Sequence, residues 1–242
     1  MSPRVDDLGR AYAGSQLQIQ IYVNRRTEEL NRAVLDALPS LAALNPRRLR
    51  WVSPREEDKF VEYYDGGFLQ ALGLEDLWES LRKFWPARGP HWDALATVDI
   101  AIPPYRGVVL VEAKSHRKEM YDKRGCGATN PNSCDMIKRA LCGTKGWLHV
   151  TDHVNWTGRL YQYANRLAHL YFFREVVCVP AWLVNVYFVA DPQCPPPHLP
   201  MSRVQWRAAL ARAKTELGLA GVAIPFAGDL FLEGKERREL TG

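Results

Sequence analysis

The chain has 242 residues, 47% of them hydrophobic and 24% charged, with a formal net charge of +5. These are ordinary globular proportions, and the length suffices for a buried core in one large domain or two small ones. No run of about 18 apolar residues exists, which excludes a helical membrane span, and the opening Met1-Ser2-Pro3-Arg4-Val5 lacks the apolar core of a secretory signal, so a cytoplasmic location is expected.

The basic excess favours an anionic partner without forming the basic stripe of a dedicated duplex binder. Five cysteines, Cys126, Cys134, Cys142, Cys178 and Cys194, are an odd number with no export signal, which argues for reduced thiols. The eight-residue spacing of the first three is not the short pair spacing of structural zinc sites, although His149 and His153 follow.

In chain order, Gln16 to Val23 alternates polar and apolar residues and reads as a strand with one wet face. Thr27 to Leu38 reads as a helix stopped by Pro39. Leu49 to Val52 is a short apolar stretch. After it, Ser53 as N-cap, Pro54 at the first helical position and Glu56 in capping-box register announce a helix that ends or bends at Gly66 and Gly67 and resumes through Phe68 to Leu72. A second helix is expected from Glu75 to Phe84. Two extended stretches, Trp92 to Ile102 and Gly107 to Lys114, flank Pro103 and Pro104 and suggest a β-hairpin.

Residues 121 to 133 read as a loop, Cys134 to Leu141 as a short helix and Trp156 to Glu175 as a long amphipathic one. Ala181 to Ala190 is almost wholly apolar and is expected to be an inner strand beside Gly107 to Lys114. Pro195 to Pro197 is a stiff connector, Ser202 to Leu217 a helix, and Leu230 to Leu232 a short strand. No linker divides the chain, so the expectation is one α/β domain, a central mixed sheet flanked by helices, with additions at both ends.

The chemistry concentrates at the end of the strand Gly107-Val-Val-Leu-Val-Glu112-Ala-Lys114. Side chains alternate along a strand, so Glu112 and Lys114 share one face and Val111 and Ala113 the other. Two opposite charges at the end of a core strand either mark the strand's exit to solvent, pair with each other, or await a metal and a phosphate.

A partner acid could come from the preceding stretch, where Asp93 and Asp99 lie on one face. A tight turn at Pro104-Tyr105-Arg106-Gly107 would set Asp99 opposite Glu112. A wider loop, favoured by the two prolines, slides the partner towards Asp93, and the residues by themselves leave both open.

The order helix, Asp-bearing strand, Glu-x-Lys strand, helix, strand resembles the core of the PD-(D/E)XK nuclease superfamily. The motifs that carry the resemblance are Trp92-Asp93-Ala94-Leu95 and Glu112-Ala113-Lys114-Ser115-His116, with Phe84-Trp85-Pro86 before them and Leu160-Tyr161-Gln162-Tyr163-Ala164-Asn165-Arg166-Leu167 after. They are similar to an uncharacterised bacterial family of that restriction-endonuclease-like fold. The likeness spans about residues 50 to 190, with Pro90 three residues before Asp93 instead of directly before it.

The resemblance implies a metal-dependent nuclease acting on nucleic acid, DNA in the first instance. Asp93 and Glu112, with the Ala113 carbonyl, would hold Mg²⁺ or Mn²⁺, a hard cation that takes oxygen ligands. Lys114 would touch the attacking water and the phosphate. Glu62 would add a helical acid, its alternative being a solvated glutamate. Gln162 would face the site, and Arg166, one turn on, would meet a phosphate or else lie over apolar neighbours. His116, His149 and His153 receive no role. Trp78, Trp85 and Trp92 are nearer to core than to base-stacking residues.

A competing expectation is a nuclease-fold protein that binds nucleic acid or protein without cutting. The intact acid, acid and lysine favour catalysis. A sugar-processing enzyme with paired carboxylates has no motif beyond the acids themselves.

Overall fold

The computed structural model of the chain describes residues 4–100, 106–121, 125–151 and 153–242. The expected hairpin turn with Pro103 and Pro104, and residues 122–124 of the expected loop, lie outside the described residues. Five strands, β1 (Arg48–Ser53), β2 (Ala94–Asp99), β3 (Arg106–Lys114), β4 (Ala181–Val189) and β5 (Ala227–Glu233), form one sheet in the order β1-β2-β3-β4-β5. The first two pairings are antiparallel and the last two parallel, so the sheet is mixed.

The run Val108 to Val111 and all nine residues of β4 are buried, as strands covered on both faces must be. One face carries α1 (Gly14–Arg25) and α2 (Thr27–Ala37), whose Tyr22 and Val34 share a buried cluster with Val109 and Val184. The other carries α4 (Asp65–Leu72), α5 (Trp78–Phe84), α6 (Pro131–Trp147), α7 (Tyr161–Tyr171) and α8 (Arg203–Glu216), packed over Leu95, Leu110 and Leu183. Short helices α3 (Pro39–Ala42) and α9 (Arg238–Thr241) follow α2 and end the chain. Among the described residues no helix is long and apolar enough to cross a membrane, and no disulfide joins the five cysteines.

Several local expectations are corrected. The stretch Gln16 to Val23 is helical, lying within α1. Its alternation also satisfies a helix buried nearly all round, because the intervening glutamines find partners inside. Gln18 donates to Asp191 Oδ1 at 2.6 Å and to the Lys235 carbonyl at 2.8 Å and accepts from the Lys235 N–H, while Gln20 accepts from the Ala11 N–H at 2.8 Å. A period of two expects glutamines facing water; these are wholly buried.

No helix starts at Pro54. Ser53 closes β1, a short 3₁₀ turn covers Glu56–Asp58, and the chain runs irregularly through residues 61–64 before α4 begins. The capping box fails because the Glu56 N–H is taken at 2.9 Å by Asn24 Oδ1 of α1, and Ser53 Oγ has no partner among the described residues.

Helix α6 is longer than expected. Asn130 caps it by accepting from the N–H groups of Asn132 and Ser133, and it runs on through two glycines. Local propensity disfavours them. Gly143, however, is where Tyr171 of α7 packs, and a Cβ there would stand 3.1 Å from its hydroxyl. The helix expected from Trp156 starts only at Tyr161, because the Asn155 side chain accepts from the Thr157 N–H and closes a turn. It finishes in a π-helical turn over Phe172–Val176.

Candidate active site

The β2–β3 ladder pairs Ala94 with Val111 and Asp99 with Arg106. Continued by one pair it sets Asp93 against Glu112. Asp99 sits exposed at the far end of the hairpin, about 20 Å away at 3.3 Å per residue. This register brings Asp93, and not Asp99, opposite Glu112.

Trp92 is drawn off the ladder, its N–H bonded to the Tyr63 carbonyl at 3.0 Å. Asp93 Oδ2 therefore accepts from the Ala113 N–H at 2.6 Å, its carboxylate continuing the ladder where the strand stops. The Ala113 carbonyl lies on that same edge of β3.

Glu112 is 4% exposed, on the sheet face that carries α7. Its Oε1 accepts from Lys114 Nζ and its Oε2 from Arg166 Nε at 2.5 Å. Lys114 Nζ also donates to Gln162 Oε1 at 2.9 Å, so Gln162 faces the site. Burial would raise the Glu112 pKa, but the Arg166 and Lys114 charges outweigh it and hold the carboxyl below its usual range. Burial likewise opposes the Lys114 ammonium, and the charges of Glu112 and Asp93 more than restore it.

Asp93 is pushed well above the usual aspartate range, first by burial and then by Glu112. Glu62 is pushed up to about 7 for the same two reasons, against a hydrogen bond from Gln16. Of these three acids, Glu112 alone forms ion pairs among the described residues.

Two expectations change here. Glu62 lies in the irregular stretch 61–64, half-buried, and not on a helix. Arg166 does not present itself to an external phosphate. It is 3% exposed, bonded to Glu112, Asn165 Oδ1 and the His91 carbonyl, and its guanidinium lies 4.8 Å from the centre of the Trp92 ring. Trp92 is core, as its residue type suggested.

Asp93, Glu112, Lys114, Gln162 and Arg166 line a cleft of about 440 Å³ that also takes in Ser15, Glu119 and Tyr161, while Glu62 is not among its lining residues. Ser15, in the first turn of α1, and Glu119 are not among the candidates read from the sequence. Glu119 Oε2 accepts from the Ser115 N–H at 2.5 Å and the other oxygen from Ser15 Oγ at 3.2 Å, tying α1 to the end of β3. An acid five residues past a strand end was the available signal. Asp191, two residues past the end of β4, secures the same end, accepting from Ser115 Oγ and from Gln18.

Among the described residues no three His, Cys, Asp or Glu side chains converge as a ready ligand set. The donors nonetheless suit a hard divalent ion, which uses one or two carboxylates with water and phosphate. Asp93 Oδ1 has no hydrogen-bond partner among the described residues, and neither Asp93 nor Glu62 forms an ion pair among them, although Lys114 favours the Asp93 charge and Arg166 and Arg4 that of Glu62. Comparison of the chain with protein-family models, with curated proteins and with solved structures gives no match.

Proposed function

We propose that this chain is a metal-dependent phosphodiesterase of the PD-(D/E)XK type, hydrolysing nucleic acid, DNA in the first instance, in the cytoplasm. The observation that carries the reading is the ladder register that sets Asp93 against Glu112, with Lys114 on the Glu112 face at an open cleft. On this reading the sheet and α7 are a restriction-endonuclease-like core within a single domain.

Asp93 and Glu112, with the Ala113 carbonyl, would hold Mg²⁺ or Mn²⁺, and Glu62 stands near enough to add charge. Such an ion, when bound, supplies charge neutralisation at the phosphate and a more acidic water. Lys114 has three N–H donors, of which Glu112 and Gln162 take two. The third is aimed by those bonds and can meet a non-bridging phosphate oxygen as charge builds there. Gln162 and Arg166 position Lys114 and Glu112 and touch no substrate.

A second reading draws on one observation. Both Glu112 oxygens already have cationic partners, and such a cluster could be purely structural in a protein that binds without cutting. The two readings separate when pure protein is incubated with labelled single-stranded, duplex and branched DNA and with RNA, in Mg²⁺, Mn²⁺ or EDTA. Metal-dependent cleavage lost in Lys114→Ala supports the enzyme. A wild type inert on every substrate with both metals supports the binder.

A further inference from the structure

A groove of about 1120 Å³ is lined by residues that neighbour, along the same two segments, those lining the acid–lysine cleft. Lys114 and Glu119 line the cleft while His116, Arg117 and Lys118 line the groove, and Tyr161 and Gln162 line the cleft while Arg159 lines the groove. The far wall is α8 and the connector before it. Small-molecule pockets occupy roughly 300–1,000 Å³, so this space suits a segment of polymer.

Its rim is cationic: Arg117, Lys118, Arg159 and Arg212 are all exposed. Of these, Arg159 is paired with Glu216, at 2.6 Å. The floor is apolar, made by Leu199, Pro200, Met201, Ala208 and Ala209, with Leu199 79% exposed. Flat rings stand at its edge: His116 and His198 stack at 4.0 Å, and Tyr121 carries Arg159 over its face at 5.1 Å.

We propose that this groove binds a single-stranded segment of nucleic acid leading to or from the acid–lysine cleft, phosphates against the rim and bases against the floor. A duplex keeps its base faces stacked inside and could engage only the cations. An unpaired strand offers both chemistries, and its bases stack on apolar and aromatic side chains whatever the sequence. The assignment rests on the nucleic-acid reading of the neighbouring cleft, and it adds strand state and path.

The test is fluorescence anisotropy of a labelled oligothymidylate and of a labelled duplex in EDTA, where no metal-dependent cleavage occurs. The variants are Arg117→Glu with Lys118→Glu for the rim, Leu199→Asp for the floor, and Arg32→Glu on α2 as a charge control. All four positions are exposed, and thermal melts verify folding. Single strand should bind at least tenfold tighter than duplex. Rim and floor variants should each weaken it tenfold or more, with Arg32→Glu within twofold of wild type. The wild-type salt slope should be near −2, as about three single-strand phosphate contacts require.

Wild-type affinity in the rim variant overturns the groove assignment. Equal binding of duplex with no effect of Leu199→Asp assigns the groove to a duplex and also overturns it, and absence of all nucleic-acid binding leaves a protein occupant. Groove-dependent binding with no cleavage in either metal rejects the nuclease reading and keeps the groove. Cleavage with no groove-dependent binding does the reverse.

Discussion

Asp93 and Glu112 face each other across the end of the β2–β3 hairpin, one residue beyond the Ala94–Val111 pair. Asp93 is tied to the backbone of β3 and Glu112 to two cations, so one acid of the pair is held by an N–H group and the other by Lys114 and Arg166.

If that pair is the metal site, Asp93→Asn should weaken Mn²⁺ binding at least tenfold in a direct titration. Asp99→Asn, at the far end of the hairpin, should leave it unchanged. The reverse result would move the site. Lys114→Ala should keep metal binding and lower cleavage by about 10²–10³-fold, the usual effect of removing one donor to a developing anion.

Arg166 holds Glu112 from inside the protein. Arg166→Met should leave a buried carboxylate with Lys114 as its one cation and cost about 3 kcal/mol or more in urea unfolding. Arg166→Lys should recover little of it, since an ammonium cannot reach Glu112, Asn165 and the His91 carbonyl with one planar fork. A loss under about 1 kcal/mol, the range of an exposed pair, would contradict the buried geometry.

His169 supplies a pH-dependence. Burial against Phe68, Trp85 and Trp92 pushes its pKa down to about 3, although its Nδ1–H donates to the Asn165 carbonyl at 2.8 Å. The unfolded chain therefore takes up this proton first, near pH 6.5. The stability His169 contributes is complete above that pH and falls as pH drops towards 3, by up to about 1.4 kcal/mol per unit. Urea titrations of wild type and His169→Gln between pH 7 and 4 should differ by this slope; parallel curves would show an exposed histidine.

Gln18 distinguishes a buried helix from a wet strand. Gln18→Ala removes bonds to Asp191 and to both backbone groups of Lys235. Leaving them unsatisfied should cost about 2–3 kcal/mol in a thermal or urea melt. A change within 0.5 kcal/mol, typical of surface sites, would place that side chain in water.

The run Gly107 to Lys114 was legible as an inner strand because continuous burial writes itself into continuous apolar character. Its alternation put Glu112 and Lys114 on one face before any neighbour was known. Ser202 to Leu217 likewise read as a helix, and α8 forms there, with Ser202 and Gln205 closing a capping box at its start. These features are decided by residues within a few positions of each other, so the chain states them directly.

Only the tertiary structure decided the others. Gln16 to Val23 fits a strand or a buried helix, and what chooses is the supply of partners for its glutamines from residues 9, 11, 191 and 235. Ser53 and Glu56 spell a capping box that Asn24 overrides. Arg166 reads as a phosphate contact or a surface cation until Glu112, 54 residues away, takes it inside. The choice of Asp93 over Asp99 turns on hairpin register, which no side chain encodes alone. A local pattern states what a segment can bury, while distant groups determine which of its hydrogen bonds and charges are answered there.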